Sequence, residues 1–433
     1  MDVARCEAKN FIGLIMAVFG PFSPKCYQSE AENAFSQAIG ADTVGLFSHP
    51  REKKIGELMS LKKTLTAAAV ALTSFALVIS GTTSASAAKV PSSKAKAGDE
   101  CGRAGMVAKA RGVEGSNLTC TKVTVGTAAG SLRWWYPDLK PLTTIDWTVP
   151  AGPGGYSATT DAISKTLIAE GLLTTSTTDF KPGAGGTTGL AHFQTIKGKQ
   201  NSALIIGIAL TGGMAQVANK NTSDLLASVP IARVMREYNA IFVPANSKYK
   251  TLNQFVNDVN TNGRAIAVSG GNVGGVDHQV IGALLKTANV PISKLNYVVG
   301  TGSEPLTKVL SGAAPVGVIG IVDVLPYVAD NRLRILGISS PKPIAGVKGK
   351  TFIQQGYNLV YGNWRGVMAP ADISEANRLN FVKVMDVMRS TDTWKQVLAT
   401  NKWYDEFAGG KDFESFLKTH IPQIKAFIAE IGL

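Results

Sequence analysis

Histidine and cysteine are scarce, with four of each in 433 residues. No C-x-x-C, H-x-x-x-H or H-E-x-x-H spacing occurs, so the ligand sets of structural and catalytic zinc sites are missing. Charged residues make up 17% and aromatics 7%. Lys and Arg still outnumber Asp and Glu, 44 to 31, for a formal charge of +13. That excess is spread thinly and clusters only at residues 51–54, whereas a nucleic-acid binder would show a basic stripe interleaved with aromatics. Neither G-x-x-x-x-G-K-[ST] nor a clean G-x-G-x-x-G with a following ribose acid is found, so no cofactor is expected. G-x-S-x-G and S-x-x-K with its partner motifs are missing as well, which leaves no hydrolase nucleophile in a known setting. The 45% hydrophobic content and the length fit a globular chain of two or three domains.

One apolar run carries information about location. Residues 65–79 follow Met59, Lys62 and Lys63, and lead through small polar residues to Ala85-Ser86-Ala87. A charged start, a short apolar stretch and an A-x-A site make residues 59–87 a cleaved export signal. The run is shorter than the roughly 20 residues of a spanning helix. Residues 1–58 are then expected to be a leader from a misplaced gene start, because Gly56-Glu57 just before Met59 can be encoded as a purine-rich ribosome-binding sequence. Residues 1–87 are nearly neutral, so the positive excess belongs to the exported part. With Cys6 and Cys26 in the leader, Cys101 and Cys120 form an even pair in an exported chain, and a disulfide between them is expected. No cysteine stands in a lipobox arrangement. The expected location is the periplasm or the extracellular face of the cell envelope.

Residues 88–100 lack apolar periodicity and read as a flexible spacer. Residues 101–140 read as a small disulfide-closed β unit, with a β-prone stretch at 118–125 and Trp134-Trp135-Tyr136 packing toward the next domain. From residue 144 onward, strand-like runs at 145–150, 203–208, 240–243, 265–269, 295–299, 316–319 and 333–338 alternate with amphipathic stretches at 160–170, 252–259, 279–285 and 304–310. Such alternation predicts largely parallel α/β sheets. Helices are expected at 375–389, 392–400 and 412–431.

Glycine recurs where strands turn into helices: Gly152-Pro153-Gly154-Gly155 before Tyr156 and Ser157, Gly183-Ala184-Gly185-Gly186-Thr187, Ser269-Gly270-Gly271-Asn272-Val273-Gly274-Gly275, and Gly300-Thr301-Gly302-Ser303. In open α/β sheets ligands bind at such strand ends. Glycine permits close backbone approach, and helix N-termini favour anions. One such loop usually only makes a turn; four in one chain point to a site for a small anion.

These loops resemble the extracytoplasmic solute receptors of tripartite tricarboxylate transporters, the Bug receptors. Val149-Pro150-Ala151-Gly152-Pro153-Gly154-Gly155 matches the family's V-P-x-x-P-G-G loop. Pro182-Gly183-Ala184-Gly185-Gly186-Thr187 with Gly189 matches its Pro-Gly-Ala-Gly-Gly turn. A glycine-rich loop ahead of His278, the strand Leu333-Arg334-Ile335-Leu336-Gly337-Ile338 and Asn363-Trp364-Arg365-Gly366-Val367-Met368-Ala369-Pro370 follow in family order. Where the family often carries an acid after the first glycines, this sequence has Tyr156-Ser157-Ala158, with Asp161 further on.

The resemblance spans about residues 144–433. It implies a two-lobed type II periplasmic-binding-protein fold with a hinge of two crossing strands: lobe I from 141–245 plus 361–433, lobe II from 246–360. It also implies a receptor, not an enzyme, that captures a small organic carboxylate and delivers it to membrane transporter subunits, working as a monomer. The implied ligand contacts are Pro153, Gly154, Gly155, Ala184, Gly185 and Thr187 from lobe I, with Tyr156 and Ser157 beside them. Lobe II would add Ser269, Gly271, Asn272, Gly274, Gly300, Thr301 and Ser303. Trp364 and Arg365 are expected to pack or pair structurally, Asp323 to cap a helix, and His192 and His278 to serve at the surface or as caps. Two other classes remain open at this point: an exported enzyme acting on small organic acids, and a cell-surface interaction protein.

Overall fold

A computed structural model describes residues 89–217, 224–300 and 302–432. The segments expected to be a leader (1–58) and an export signal (59–87), together with Thr301, lie outside the described residues. The chain begins with a three-stranded antiparallel sheet of β1 (Val107–Lys109), β2 (Asn117–Lys122) and β3 (Leu132–Trp135). Cys101 and Cys120 are joined by a disulfide. Cys120 lies opposite Trp134 in the β2–β3 register, and both are buried. The segment expected as a flexible spacer is packed instead. Ala95 and Ala97 are buried, the Trp134 indole donates to the Val90 carbonyl at 2.9 Å, and Val90 N–H donates to the Glu100 carbonyl. Side chains as small as alanine let this segment lie flat on its neighbours while its backbone finds partners.

The body is a curled sheet of ten strands. Its lobe I side holds β4 (Leu142–Val149), β5 (Leu173–Phe180) and β6 (Ser202–Gly207), all parallel. The lobe II side holds β8 (Ala267–Gly270), β9 (Asn296–Val299) and β10 (Val316–Gly320), again parallel. Between them runs β7 (Val229–Pro244), 16 residues long. Its first part pairs antiparallel with β12 (Gly362–Ala369) and β13 (Tyr404–Gly409), and its second part with β10 and β11 (Leu333–Ile338). The chain therefore crosses from lobe I to lobe II inside β7 and returns along the segment that enters β12, where Gly362 faces Tyr238.

Helices fill the connections: α1 (Gly155–Ala169), α2 (Thr187–Thr195) and α3 (Ile208–Val217) in lobe I, then α4 (Leu252–Asn262), α5 (Val276–Thr287), α6 (Glu304–Leu310) and α7 (Ile321–Ala329) in lobe II. The C-terminal helices α8 (Glu375–Met388), α9 (Asp392–Thr400) and α10 (Gly410–Glu430) return to lobe I. Starts are set by local chemistry. Thr251 and Gln254 form a capping box at α4, and the Ser374 and Thr391 hydroxyls accept the first free amides of α8 and α9.

Three apolar clusters hold the body. One, in lobe I, contains Trp147, Leu167, Phe193, Ile205, Trp364 and Met385. Two lie in lobe II, around Phe255, Val268 and Leu284, and around Phe242, Val309 and Val324. Each fully buried Leu, Phe or Val contributes about 1.5–3 kcal/mol by leaving water. Trp134 and Tyr136 belong to the lobe I cluster, so the disulfide unit shares that core. Among the described residues, no helix is long and apolar enough to cross a membrane.

Candidate ligand-binding site

A cavity of about 670 Å³ opens where β7 and β12 pass between the lobes. Pockets for small molecules usually measure about 300–1,000 Å³. Lobe I supplies Gly154, Gly155, Ser157 and Asp161 from the start of α1; the hinge strands supply Glu237, Asn239, Asn363 and Arg365. Lobe II contributes Asp277, Ser303, Gly320 and Asp323, and Trp403 stands just before β13.

The hinge residues share one face because strand side chains alternate with period two. Glu237 and Asn239 stand two apart on β7, Asn363 and Arg365 two apart on β12, and the register sets Asn363 opposite Glu237. Their polar groups interlock. Asn363 Nδ2 donates to Glu237 Oε1 at 2.6 Å, and the Trp403 indole donates to Glu237 Oε2 at 3.1 Å. Arg365 Nη1 donates to Asn363 Oδ1, and Nη2 lies 3.6 Å from Glu237 Oε1. The guanidinium sits over the Tyr156 ring, 4.5 Å from its centroid, and is buried with Nε unpartnered. A Cβ on Gly155 would come within 2.9 Å of Arg365 Nη2, so glycine there lets the helix start lie against the guanidinium.

On the lobe II side, Asp277 accepts from Asn239 Nδ2 at 2.6 Å and from Gly271 N–H at 2.8 Å. Burial pushes its carboxyl up to about 7, and the nearby Glu237 and Asp323 carboxylates add to the rise. Asp323, in the first turn of α7, is raised by its surroundings and by Glu237. It opens to the cavity and makes no hydrogen bond among the described residues, so it is not the helix cap that was expected. His278 is buried: Nδ1 accepts from Gly274 N–H at 3.3 Å, the ring stacks on Tyr297 at 4.0 Å, and burial lowers it to about 4. Neutral His278 thus fixes the loop ahead of α5 from inside. His192 is half exposed, 3.7 Å from Asp179.

Of the residues singled out by sequence, Gly154, Gly155, Ser157 and Ser303 line the cavity. Ser157 Oγ also bonds the Gly154 backbone at both N–H and C=O, tying down the first turn of α1. Tyr156 faces inward, its hydroxyl accepting from Leu210 N–H at 3.0 Å. Pro153 is exposed beside the loop but does not line the cavity. The second loop packs on α3: a Cβ on Gly213 would meet the Gly185 carbonyl at 2.2 Å, while Thr187 Oγ1 donates to the Ala184 carbonyl. Ser269, Gly271, Asn272, Gly274 and Gly300 lie on or beside the ends of β8 and β9, outside the cavity lining. Gly274 instead touches α3, where a Cβ on Gly212 would lie 2.4 Å from the Gly274 carbonyl. Sequence reasoning missed Glu237, Asn239, Asp277 and Asn363. Polar residues two apart inside otherwise apolar stretches were the available signal.

Two α/β lobes on crossing strands, with a polar cavity between them, define a two-lobed solute-binding protein. Within that class the chain belongs to the tripartite tricarboxylate transporter family receptors, whose family model matches residues 165–433. The match starts inside α1, so the first glycine loop lies just ahead of it. Among solved structures the chain is similar to the periplasmic binding protein BugD, at 16% identity and a TM-score of 0.57, covering 68% of this chain and 99% of that one. It is also similar to a TctC solute-binding protein from Polaromonas, at 20% identity and 0.53, covering 68% and 99%. A third is MatC from Rhodopseudomonas palustris, solved with bound malate, at 15% identity and 0.56, covering 68% and 100%. No curated protein matches the chain.

Proposed function

We propose that this protein is an extracytoplasmic receptor that captures a small organic carboxylate between its lobes and presents it to membrane transporter subunits. The observation that carries the reading is the buried Arg365 guanidinium, set against the first turn of α1 in the cavity lining. A guanidinium and the free amides of a helix start both favour a carboxylate. Family membership supports the transport role. Malate in one similar structure and adipate in another supply the chemical precedent. On this reading the export signal is cleaved and the monomeric receptor works outside the cytoplasm. Lobe I (141–245 with 361–433) and lobe II (246–360) move about the hinge, and the glycine loops shape the closed form.

Isothermal titration of the purified full chain against C4 to C6 dicarboxylates, citrate, aromatic acids and amino acids tests this. A saturable one-site isotherm with at least one acid, without turnover, is expected. Folded protein that binds none of them would overturn the receptor reading, and chemical conversion of a bound acid would replace it with an enzyme.

A further inference from the structure

We infer that the ligand of this cleft is an amino-carboxylate, a molecule carrying a protonated amine as well as a carboxylate; this rests on the carboxylate-receptor reading above. The cavity that would receive an anion is lined by four acids, Asp161, Glu237, Asp277 and Asp323, and by one cation, Arg365. Arg365 is set against Glu237, which Asn363 and Trp403 also satisfy. The three aspartates have no salt-bridge partner among the described residues. The Asp277 carboxylate is held by neutral donors, Asn239 and Gly271, while the side chains of Asp161 and Asp323 make no hydrogen bond among the described residues.

A second, independent feature points the same way. Asn239 stands in the hinge strand and lines the cavity; it is 1% exposed, and its Oδ1 has no donor. A buried amide oxygen left unpaired is costly, which makes it a place where a donor is called for. An ammonium has three N–H donors and no acceptor. Asn239 Oδ1 and the carboxylates of Asp277 and Asp323 offer acceptors. A plain dicarboxylate would bring acceptors to acceptors and negative charge to negative charge. Among the described residues, no three His, Cys, Asp or Glu side chains converge so as to hold a metal ion, so a bound cation is not the evident balance for these acids. The cavity has two chemical ends: a guanidinium with a helix start on the lobe I side, and acceptors on β7 and lobe II. A zwitterion matches both.

Titrating the full chain at pH 8 with pairs that differ by one amine tests the inference: succinate against L-aspartate, glutarate against L-glutamate, butanoate against 4-aminobutanoate. In at least one pair the amino member should bind about 10–150-fold tighter, the worth of a charge-assisted hydrogen bond. Asp323→Asn, at an exposed position where folding is not at risk, and Asp277→Asn should each reduce that preference about tenfold. Circular dichroism would verify that both variants are folded. Plain carboxylates binding as tightly as their amino partners, and more tightly still as the pH falls from 8 to 5, would overturn the inference and leave the receptor reading intact. An amine preference untouched in both variants would also overturn it. Binding of no member of any pair would remove the receptor reading and this inference with it.

Discussion

Asp277 is an acid that the fold holds against its own chemistry. Burial lifts its carboxyl to about 7, so the native state keeps a proton that the unfolded chain releases near 4. Its contribution to stability is therefore present below about pH 4 and lost as the pH rises toward 7. His278 and His420 act in the opposite sense. Burial lowers both to about 4, with Arg236 and Arg233 adding to the drop at His420, so their contribution is lost as the pH falls from about 6.5 toward 4. The groups around Asp277 are Glu237, Asp323, Arg365, Asn239, Tyr297 and the Gly271 amide. In Asp277→Asn the Asn239 amide can turn its free Oδ1 toward the new NH₂, which exchanges an unpaired oxygen for an unpaired Nδ2 and leaves the number of orphans unchanged. The ligand-free variant should match the parent in stability at pH 4 and exceed it by roughly 2–4 kcal/mol at pH 8. Urea unfolding across that range would measure the difference, and a constant difference would show that Asp277 is not proton-linked. The sequence alone carried little of this. A lone Asp beside His278 resembles any helix start, and what sets it apart is its approach to β7, a contact between residues 38 positions apart.

Elements were legible in proportion to how apolar they are. Strand β11 and helices α6 and α9 lie where periodicity sets them: β11 is buried along almost its whole length, and each helix buries one apolar stripe, Leu306 with Val309 and Trp394 with Leu398. Strand β7 was visible only in its second half. Arg233, Arg236 and Glu237 interrupt the first half, and those polar side chains are the ones that pair with Glu406 or face the cavity. Strand β5, Leu-Thr-Thr-Ser-Thr-Thr-Asp-Phe, escaped notice because it is an edge strand exposed along most of its length, with no hydrophobic alternation to read. Helix α3 was hidden by its glycines, whose reason lies in another element. Gly212 abuts the Gly274 carbonyl and the Gln279 amide of lobe II, and Gly213 abuts Gly185. A methyl group at Gly212 removes this approach while improving intrinsic helix propensity. Gly212→Ala should thus keep the fold and hold the lobes apart. Overpacking costs about 1–3 kcal/mol. Borne by the closed form alone, that cost would weaken ligand binding about 5- to 150-fold. Titration with whichever acid the parent binds, beside small-angle scattering for the lobe separation, would test it; unchanged affinity would mean that capture does not depend on contact at this point.

For the molecule as a whole, the disulfide unit raises the question of what it adds. The family model matches residues 165–433, downstream of the unit, and 68% of this chain is enough to cover 99% of BugD. The unit's attachments fall on the lobe I side. The Tyr136 hydroxyl donates to Asp386 Oδ2 at 2.6 Å, Lys383 pairs with Asp138, Lys411 pairs with Glu114, and Thr127 bonds the Glu170 carboxylate. Asp386 is buried beside Arg389, and its burial with Tyr136 raises both groups. Held to one lobe by a shared core, the unit would move with that lobe when the cleft closes. Its effect should then appear in global stability rather than in ligand affinity. Cys101 and Cys120 are 19 positions apart, a loop whose closure is worth about 3 kcal/mol in chain entropy. A Cys101→Ser, Cys120→Ser double variant should lose about 2–4 kcal/mol in denaturant unfolding. Its ligand affinity, measured where the variant remains folded, should stay within about twofold of the parent. A folded variant that has lost binding would reverse the conclusion: the unit would be coupled to the cleft through α8, and the receptor would be a three-part machine rather than two lobes with a stabilising attachment.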